Sequence, residues 1–333
     1  MKINRKDLHA TLTISQKGLT KREILAQSNA FIFAGDSLIT FNGEVLTRTK
    51  NPLDIQGAVP ADDLLALLAK LPDDEVEVII KGEELVVKGV RRAAGITRCA
   101  EIELPYDDVP TPKTWNEVPQ DLMKVLLQGA RVCGKDETQP RTTEIHVTED
   151  LIEACDNFRL FRYMIDTKFK KEVLIPASSL ESVGNLKVTH VDIRKGWVHF
   201  KTPSKHIVSI RCSSGEYPDL GPMMKLKDPE KVRLPKNLGE ILSRAEVMHE
   251  TAYDARVNIT IAEGKLILKA AKESGWYRET KRVKYEGAPL KFSVHPAFLG
   301  EVLKKTNQVL IGGNRIKFEA GNEVFIVCLE VVE

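Results

Sequence analysis

Ala58-Val59-Pro60-Ala61-Asp62-Asp63-Leu64-Leu65-Ala66-Leu67-Leu68-Ala69-Lys70-Leu71 decides the fold. A short extended lead meets a proline, and behind it Leu64, Leu65, Leu67, Leu68 and Leu71 fall at helical spacing, so the stretch predicts a helix opened by Pro60. The phrase returns as Leu174-Ile175-Pro176-Ala177-Ser178-Ser179-Leu180 and again as Val294-His295-Pro296-Ala297-Phe298-Leu299. The three Pro-Ala pairs lie 116 and 120 residues apart. Self-similarity at a fixed period marks a repeated structural unit.

Each copy is followed by the same pattern of strand, turn and strand. Glu75–Ile80, Lys81-Gly82 and Glu84–Lys88 follow the first; Val191–Ile193, Lys195-Gly196 and Trp197–Phe200 the second; Val309–Ile311, Gly312-Gly313-Asn314 and Arg315–Glu319 the third. These read as hairpins with glycine where a positive φ is needed. Upstream, Asp7-Leu8, Asp121-Leu122 and Asn237-Leu238 each open an amphipathic helix, the last two behind Pro119 and Pro235. Strand candidates at 30–33, 143–147 and 257–261 lie between the two helices of each copy. Proline-bearing connectors at 106–112 and 217–229 separate the copies. The expected organisation is three tandem α+β domains, 1–112, 113–229 and 230–333.

Composition narrows the class. The chain has 333 residues, 42% hydrophobic and 29% charged, with apolar stretches too short and too interrupted to span a bilayer. Charge in Met1-Lys2-Ile3-Asn4-Arg5-Lys6 stands where a secretory signal would turn apolar, so a cytoplasmic protein is expected. The five scattered cysteines form no Cys-x-x-Cys pair and are expected to be reduced, mostly buried thiols. The balance of 49 basic and 47 acidic residues neither favours nor excludes nucleic acid, because clustering matters more than the sum.

Three features together resemble the bacterial sliding clamp family, the β subunits of DNA polymerase III. They are the triple repeat with its Pro-Ala helix; Cys155-Asp156-Asn157-Phe158-Arg159-Leu160, similar to the family's Thr-Asp-Gly-His-Arg-Leu; and Gly215-Glu216-Tyr217-Pro218-Asp219-Leu220 at the second connector. The likeness is divergent and fits a phage-encoded member as well as a cellular one. It implies three clamp-type domains, each with two helices packed on antiparallel sheets, and a homodimer closing head to tail into a ring around duplex DNA. The implied function is a processivity factor that holds double-stranded DNA without sequence preference, tethers a DNA polymerase and is placed by a clamp loader.

In that fold the helices face the hole. The cations near them are Arg5, Lys17, Lys21, Arg22 and Lys70 in the first copy, Lys124, Arg131 and Lys135 in the second, and Lys304 and Lys305 in the third. They are the expected phosphate contacts, Lys21 first and Arg22 next, although each alone also reads as an ordinary solvated residue. The resemblance also implies a peptide pocket walled by Cys155, Asn157, Phe158, Arg159 and Leu160, by Pro218, Leu220 and Met223, and by Val327, Cys328 and Leu329 of the C-terminal segment. Core packing is the competing role for Phe158, Leu160 and Val327. Arg159, flanked by apolar residues, is expected to have a designated partner.

No phosphate-binding glycine loop, His-Glu-x-x-His or nucleophile elbow occurs, so neither an enzyme nor a cofactor nor a metal is expected. His190, His199, His206 and Asp192 lie along neighbouring strand candidates, where alternation places them on solvated faces. The alternative is a clamp-like interaction scaffold, or an inhibitor of polymerase or loader, that does not encircle DNA.

Overall fold

The computed structural model describes residues 1–136, 138–184, 186–249, 251 and 255–331. Among them no helix is long and apolar enough to cross a membrane. The helices are α1 (Arg5–Ser15), α2 (Ala61–Lys70), α3 (Leu122–Ala130), α4 (Ala177–Val183), α5 (Gly221–Met224), α6 (Leu238–Ala245) and α7 (Pro296–Leu303). They pack in the pairs read from the repeat: α1 with α2, α3 with α4, α6 with α7. The α1 N-terminus is capped by Asn4 Oδ1, which accepts from the amides of Lys6 and Asp7. Pro119 and Pro235 each stand a turn ahead of their helices, their carbonyls accepting from the amides of Leu122 and Leu238. The sequence placed them at the helix start.

The chain divides into two compact units, the first of residues 1–130, 146–149 and 166–215, the second of 131–145, 150–165 and 216–333. In the first unit, an antiparallel sheet of four strands runs Lys2–Asn4, Glu75–Lys81, Glu84–Gly89, Arg92–Thr97. A second sheet of eight runs Gly57–Pro60, Ala30–Ala34, Ser37–Phe41, Val45–Lys50, Ile207–Arg211, Trp197–Lys201, His190–Arg194, Asn116–Glu117. Val45–Lys50 pairs with Ile207–Arg211, so strands of the first two sequence repeats share one sheet. Its two faces are both covered. Phe31, Phe33 and Leu38 join Leu8, Leu12, Leu64 and Leu68 of the helices in one core. On the other face Ile32, Ile39, Phe41, Leu46 and Trp197 pack with Leu104 and Val109 of the connector.

That second layer corrects an expectation. His199 and Asp192 are buried, not solvated. They sit opposite each other in register, and the connector crosses them, Asp192 Oδ2 accepting from the amides of Lys113 and Thr114 at 2.7 and 3.2 Å. His199 Nδ1 lies 2.7 Å from Ser209 Oγ. Burial drives the imidazole pKa down to about 4, with Arg194 and Arg48 adding to the fall against the opposing pull of Asp192. His190 and His206 are half-buried. Among the described residues no cluster of three His, Cys, Asp or Glu side chains could hold a metal ion. The cysteines are also less buried than expected: all five are reduced thiols, but only Cys133 and Cys155 are buried, Cys212 is intermediate, and Cys99 and Cys328 are exposed.

In the second unit, one sheet includes the run Leu151–Cys155, Arg159–Met164, Glu323–Cys328, Arg315–Ala320, Gln308–Gly312, Glu230–Arg233. Another runs Gly275–Arg282, Lys265–Lys272, Val257–Ala262, Leu290–Val294, Glu330–Val331. The hairpin expected to turn on Gly312-Gly313-Asn314 turns on Gly313, at φ +58°, while Gly312 remains in its strand. A Cβ at Gly312 would stand 2.5 Å from the Lys227 carbonyl, so glycine there admits the close passage of another chain segment.

Candidate functional site

The segment Cys155–Leu160 forms a tight hairpin turn. Asp156 Oδ1 accepts from the amides of Phe158 and Arg159, both at 2.8 Å, and the Asp156 amide donates to the Arg159 carbonyl. An aspartate here supplies the turn's own side-chain acceptor. Arg159 has the partners its setting demanded. Its Nε donates to Asp156 Oδ2 at 3.0 Å, Nη1 to Glu301 Oε2 of α7 at 3.1 Å and Nη2 to the Arg131 carbonyl at 2.6 Å. The guanidinium lies 4.2 Å from the centre of the Phe298 side chain, which stacks on His295. Arg159 therefore fastens the turn to α7, a task suited to its planar fork of donors. Phe158 stands between Phe298 and Arg256, and its carbonyl accepts from the Cys328 amide at 2.7 Å.

Strand register sorts the pocket candidates onto two faces. Cys155 is opposite Leu160, and Leu160 opposite Ile326; Arg159 is opposite Val327. Because residues directly across a ladder share a face, Cys155, Leu160 and Ile326 lie on one side, Arg159 and Val327 on the other. The first side is the apolar one of interest. Cys155, Leu160, Ile326 and Leu220 are buried together, with Tyr217, Met224 and Val324 packed against them. The Tyr217 hydroxyl lies 3.5 Å from Cys155 Sγ, and burial raises the pKa of both groups, which keeps them neutral. Arg315, opposite Cys328 in register, donates to the Met223 carbonyl at 2.8 Å and so holds α5 beside this floor. Pro218, Met223, Asn157 and Cys328 are exposed around it, and Leu329 is buried.

Four residues of this surface, Tyr217, Met224, Val324 and Ile326, were absent from the sequence-derived set. Val324-Phe325-Ile326-Val327 is apolar throughout, so its pattern gave no way to choose between the two faces; Tyr217 and Met224 flank candidates already named.

The cations expected at a nucleic-acid surface differ in how free they are. Lys21 and Arg22 are exposed in the bend between α1 and strand Ala30–Ala34, and Lys70 and Lys124 are exposed on α2 and α3. Lys17 is half-buried, with its ammonium about 3.9 Å from where a Cβ would stand on Gly184, at the C-terminal end of α4. Arg5 is tied down by bonds to the carbonyls of Leu68 and Asp73 at 2.7 and 2.9 Å, so it closes the end of α2. In the second unit Arg131, Lys135 and Lys304 are exposed, and Lys305 pairs with Glu323.

No family model matches the chain, and no curated protein matches it in sequence. Solved structures do. A DNA polymerase III β subunit from Thermotoga maritima matches with a TM-score of 0.81 at 21% identity, covering 100% of this chain and 99% of that one. The chain has the sliding-clamp fold. The sliding clamp from Bacillus subtilis matches with a TM-score of 0.85 at 16% identity and the β subunit from Streptococcus pyogenes with 0.83 at 17%, each covering 99% or more of both chains. The α+β class and the clamp-type fold implied by the resemblance are thus those of the molecule.

Proposed function

We propose that this protein is a DNA sliding clamp, a non-catalytic, cytoplasmic processivity factor. Three domains, 1–112, 113–229 and 230–333, and a second copy of the chain would complete a ring. The observation that carries this proposal is the likeness to sliding clamps over the full length of the chain, with the three helix pairs of the repeat.

Sheet edges support closure by a second copy. The strands Arg92–Thr97 and Gly275–Arg282, six and eight residues long, end their sheets, while the other terminal strands run two to four residues. Proteins ordinarily shorten or cover such edges. Pairing one copy's first-unit edge with the other copy's second-unit edge uses two different surfaces, and such contacts generate rings when the rotation closes.

The helix-side cations Lys17, Lys21, Arg22, Lys70, Lys124 and Lys304 would meet phosphates, giving binding without sequence preference that weakens with salt. Asp7, Asp62 and Asp63 on α1 and α2 keep that attraction loose, as sliding requires. The floor of Leu160, Leu220 and Ile326, with exposed Met223 and Pro218 beside it, would receive a short apolar peptide from a polymerase or loader.

The deciding experiment is topological. Loaded onto nicked circular DNA by a clamp loader, the protein should stay until the circle is linearised and then slide off, and light scattering should give twice 37.3 kDa. Retention indifferent to linearisation, or a strict monomer at micromolar concentration, would refute the proposal in favour of an interaction scaffold.

A further inference from the structure

The five-stranded sheet of the second unit has two unlike faces. One buries Val257, Ile259, Ile261, Leu266 and Leu268. The other presents Lys265, Lys269, Arg278, Arg282 and Lys291, all exposed, together with Trp276, which at 73% is the most exposed large hydrophobic side chain among the described residues. Register places Lys269 opposite Arg278, Lys265 opposite Arg282 and Ala271 opposite Trp276. The carboxylate of the same strand, Glu279, alternates to the other face, where it meets Arg244 and Lys281. Among the described residues, the one strand carboxylate on the basic face is Glu330 at the far edge, and Arg256 takes it at 2.9 Å.

Like charges directly opposite each other destabilise a strand pair, so these placements cost the fold something. Protection against edge-to-edge association would explain cations on the outer strand. It does not explain Lys265 and Lys269 on the second strand, Lys291 on the fourth, or an exposed tryptophan among them. Trp276 borders a groove of about 370 Å³ lined also by Asn258, Lys269, Ala271 and Arg278. Ala271 leaves the groove open, and its volume falls in the range of ligand sites.

We propose that this face binds single-stranded nucleic acid, a base stacking on Trp276 in the groove while the five cations meet the phosphates. Same-face residues recur about every 6.8 Å along a strand, so Trp276, Arg278 and Arg282 form a row that an extended polynucleotide can follow. Paired bases inside a duplex offer no face to the indole, whereas an unpaired base does. An acidic peptide would answer the charge but not the aromatic platform. The inference differs from the proposed contact of the helices with a duplex; it shares the strand Gly275–Arg282 with the edge assigned to ring closure, but uses the outward side chains of that strand rather than its backbone edge.

The test titrates the full-length protein with a short oligothymidylate, following tryptophan fluorescence and the anisotropy of labelled oligonucleotide. Trp197 is buried and Trp115 lies under the Lys201 ammonium at 4.4 Å, so quenching reports chiefly on Trp276. Binding should quench the wild type. Trp276→Ala should abolish the quench and weaken binding roughly 5-fold or more, and Trp276→Phe should keep most of the affinity. Arg278→Ala should flatten the salt dependence by about 0.7 in log–log slope. Lys81→Glu, at an exposed hairpin turn of the first unit, should leave this binding unchanged. The inference is overturned if the wild type shows no quenching, or if Trp276→Ala, folded by circular dichroism, binds like the wild type. Equal Trp276 dependence with polyglutamate would assign the face to acidic peptides, with a hairpin duplex to duplex DNA; loss of the dimer in Trp276→Ala would assign it to a contact between copies.

Discussion

Acidification should destabilise the first unit through His199. Its imidazole is fully buried, hydrogen-bonded to Ser209 and flanked by Asp192, Arg194 and Arg48, with a pKa lowered from 6.5 to about 4. In the unfolded chain the same group takes up a proton near pH 6.5, so between that value and about 4 the unfolded state binds more protons than the folded one. Stability is therefore complete above the unfolded pKa and lost as pH falls toward the folded one. At 1.36 kcal/mol per pH unit the full interval is worth about 3 kcal/mol. His199→Phe removes the titration and leaves Ser209 without its partner, costing about 1 kcal/mol at neutral pH. Urea unfolding at a series of pH values, followed by the fluorescence of Trp197 on the same strand, compares the two. The wild type should start ahead of the variant and lose that lead on acidification, the difference changing by about 3 kcal/mol. Carboxylates common to both proteins cancel in that difference. Parallel stability curves would refute the assignment of a depressed, buried imidazole.

Lys21→Glu combined with Arg22→Glu should shorten retention on circular DNA without altering the unfolding midpoint, since both side chains are exposed; unchanged retention at low salt would remove them from the nucleic-acid surface. Met223→Ala should weaken a fluorescent consensus clamp-binding peptide about 5-fold at little cost in stability, and Leu160→Ala should weaken it further; equal affinities in fluorescence titration would remove this floor from consideration. Thiol labelling followed by peptide mapping should modify exposed Cys99 first and Cys212 much later, because burial pushes the Cys212 pKa up to about 12. Prior or equal labelling of Cys212 would contradict the raised pKa of its thiol.

What the sequence conveys depends on how local its cause is. The α2 leucines and the hairpins at Lys81-Gly82 and Lys195-Gly196 were legible because their causes, helical spacing and a positive-φ turn, lie within a few residues. His199 was misread for the opposite reason. Alternation tells which residues share a face but not whether another segment lies on it, and the connector carrying Val109, Lys113 and Thr114 arrives from about 80 residues away. The same gap separates Ile326 from Val327. Each is apolar, each is buried, and only pairing with Arg159–Met164 sends the first toward Leu160 and the second toward Arg159.

The basic face of the second unit's sheet illustrates both halves of the rule. Lys265 and Lys269 are four residues apart in a strand, as are Arg278 and Arg282, so each pair shares a face by period alone. That the two pairs confront each other follows only from the register. An overall charge of +2 hides this arrangement, because the sheet's carboxylates do not offset it: Glu279 lies on the opposite face, and Glu330, at the far edge, is taken by Arg256. A near-neutral chain can therefore present a surface on which five cations share one sheet face with a tryptophan, and the field a polyanion meets is set by that local density rather than by the sum.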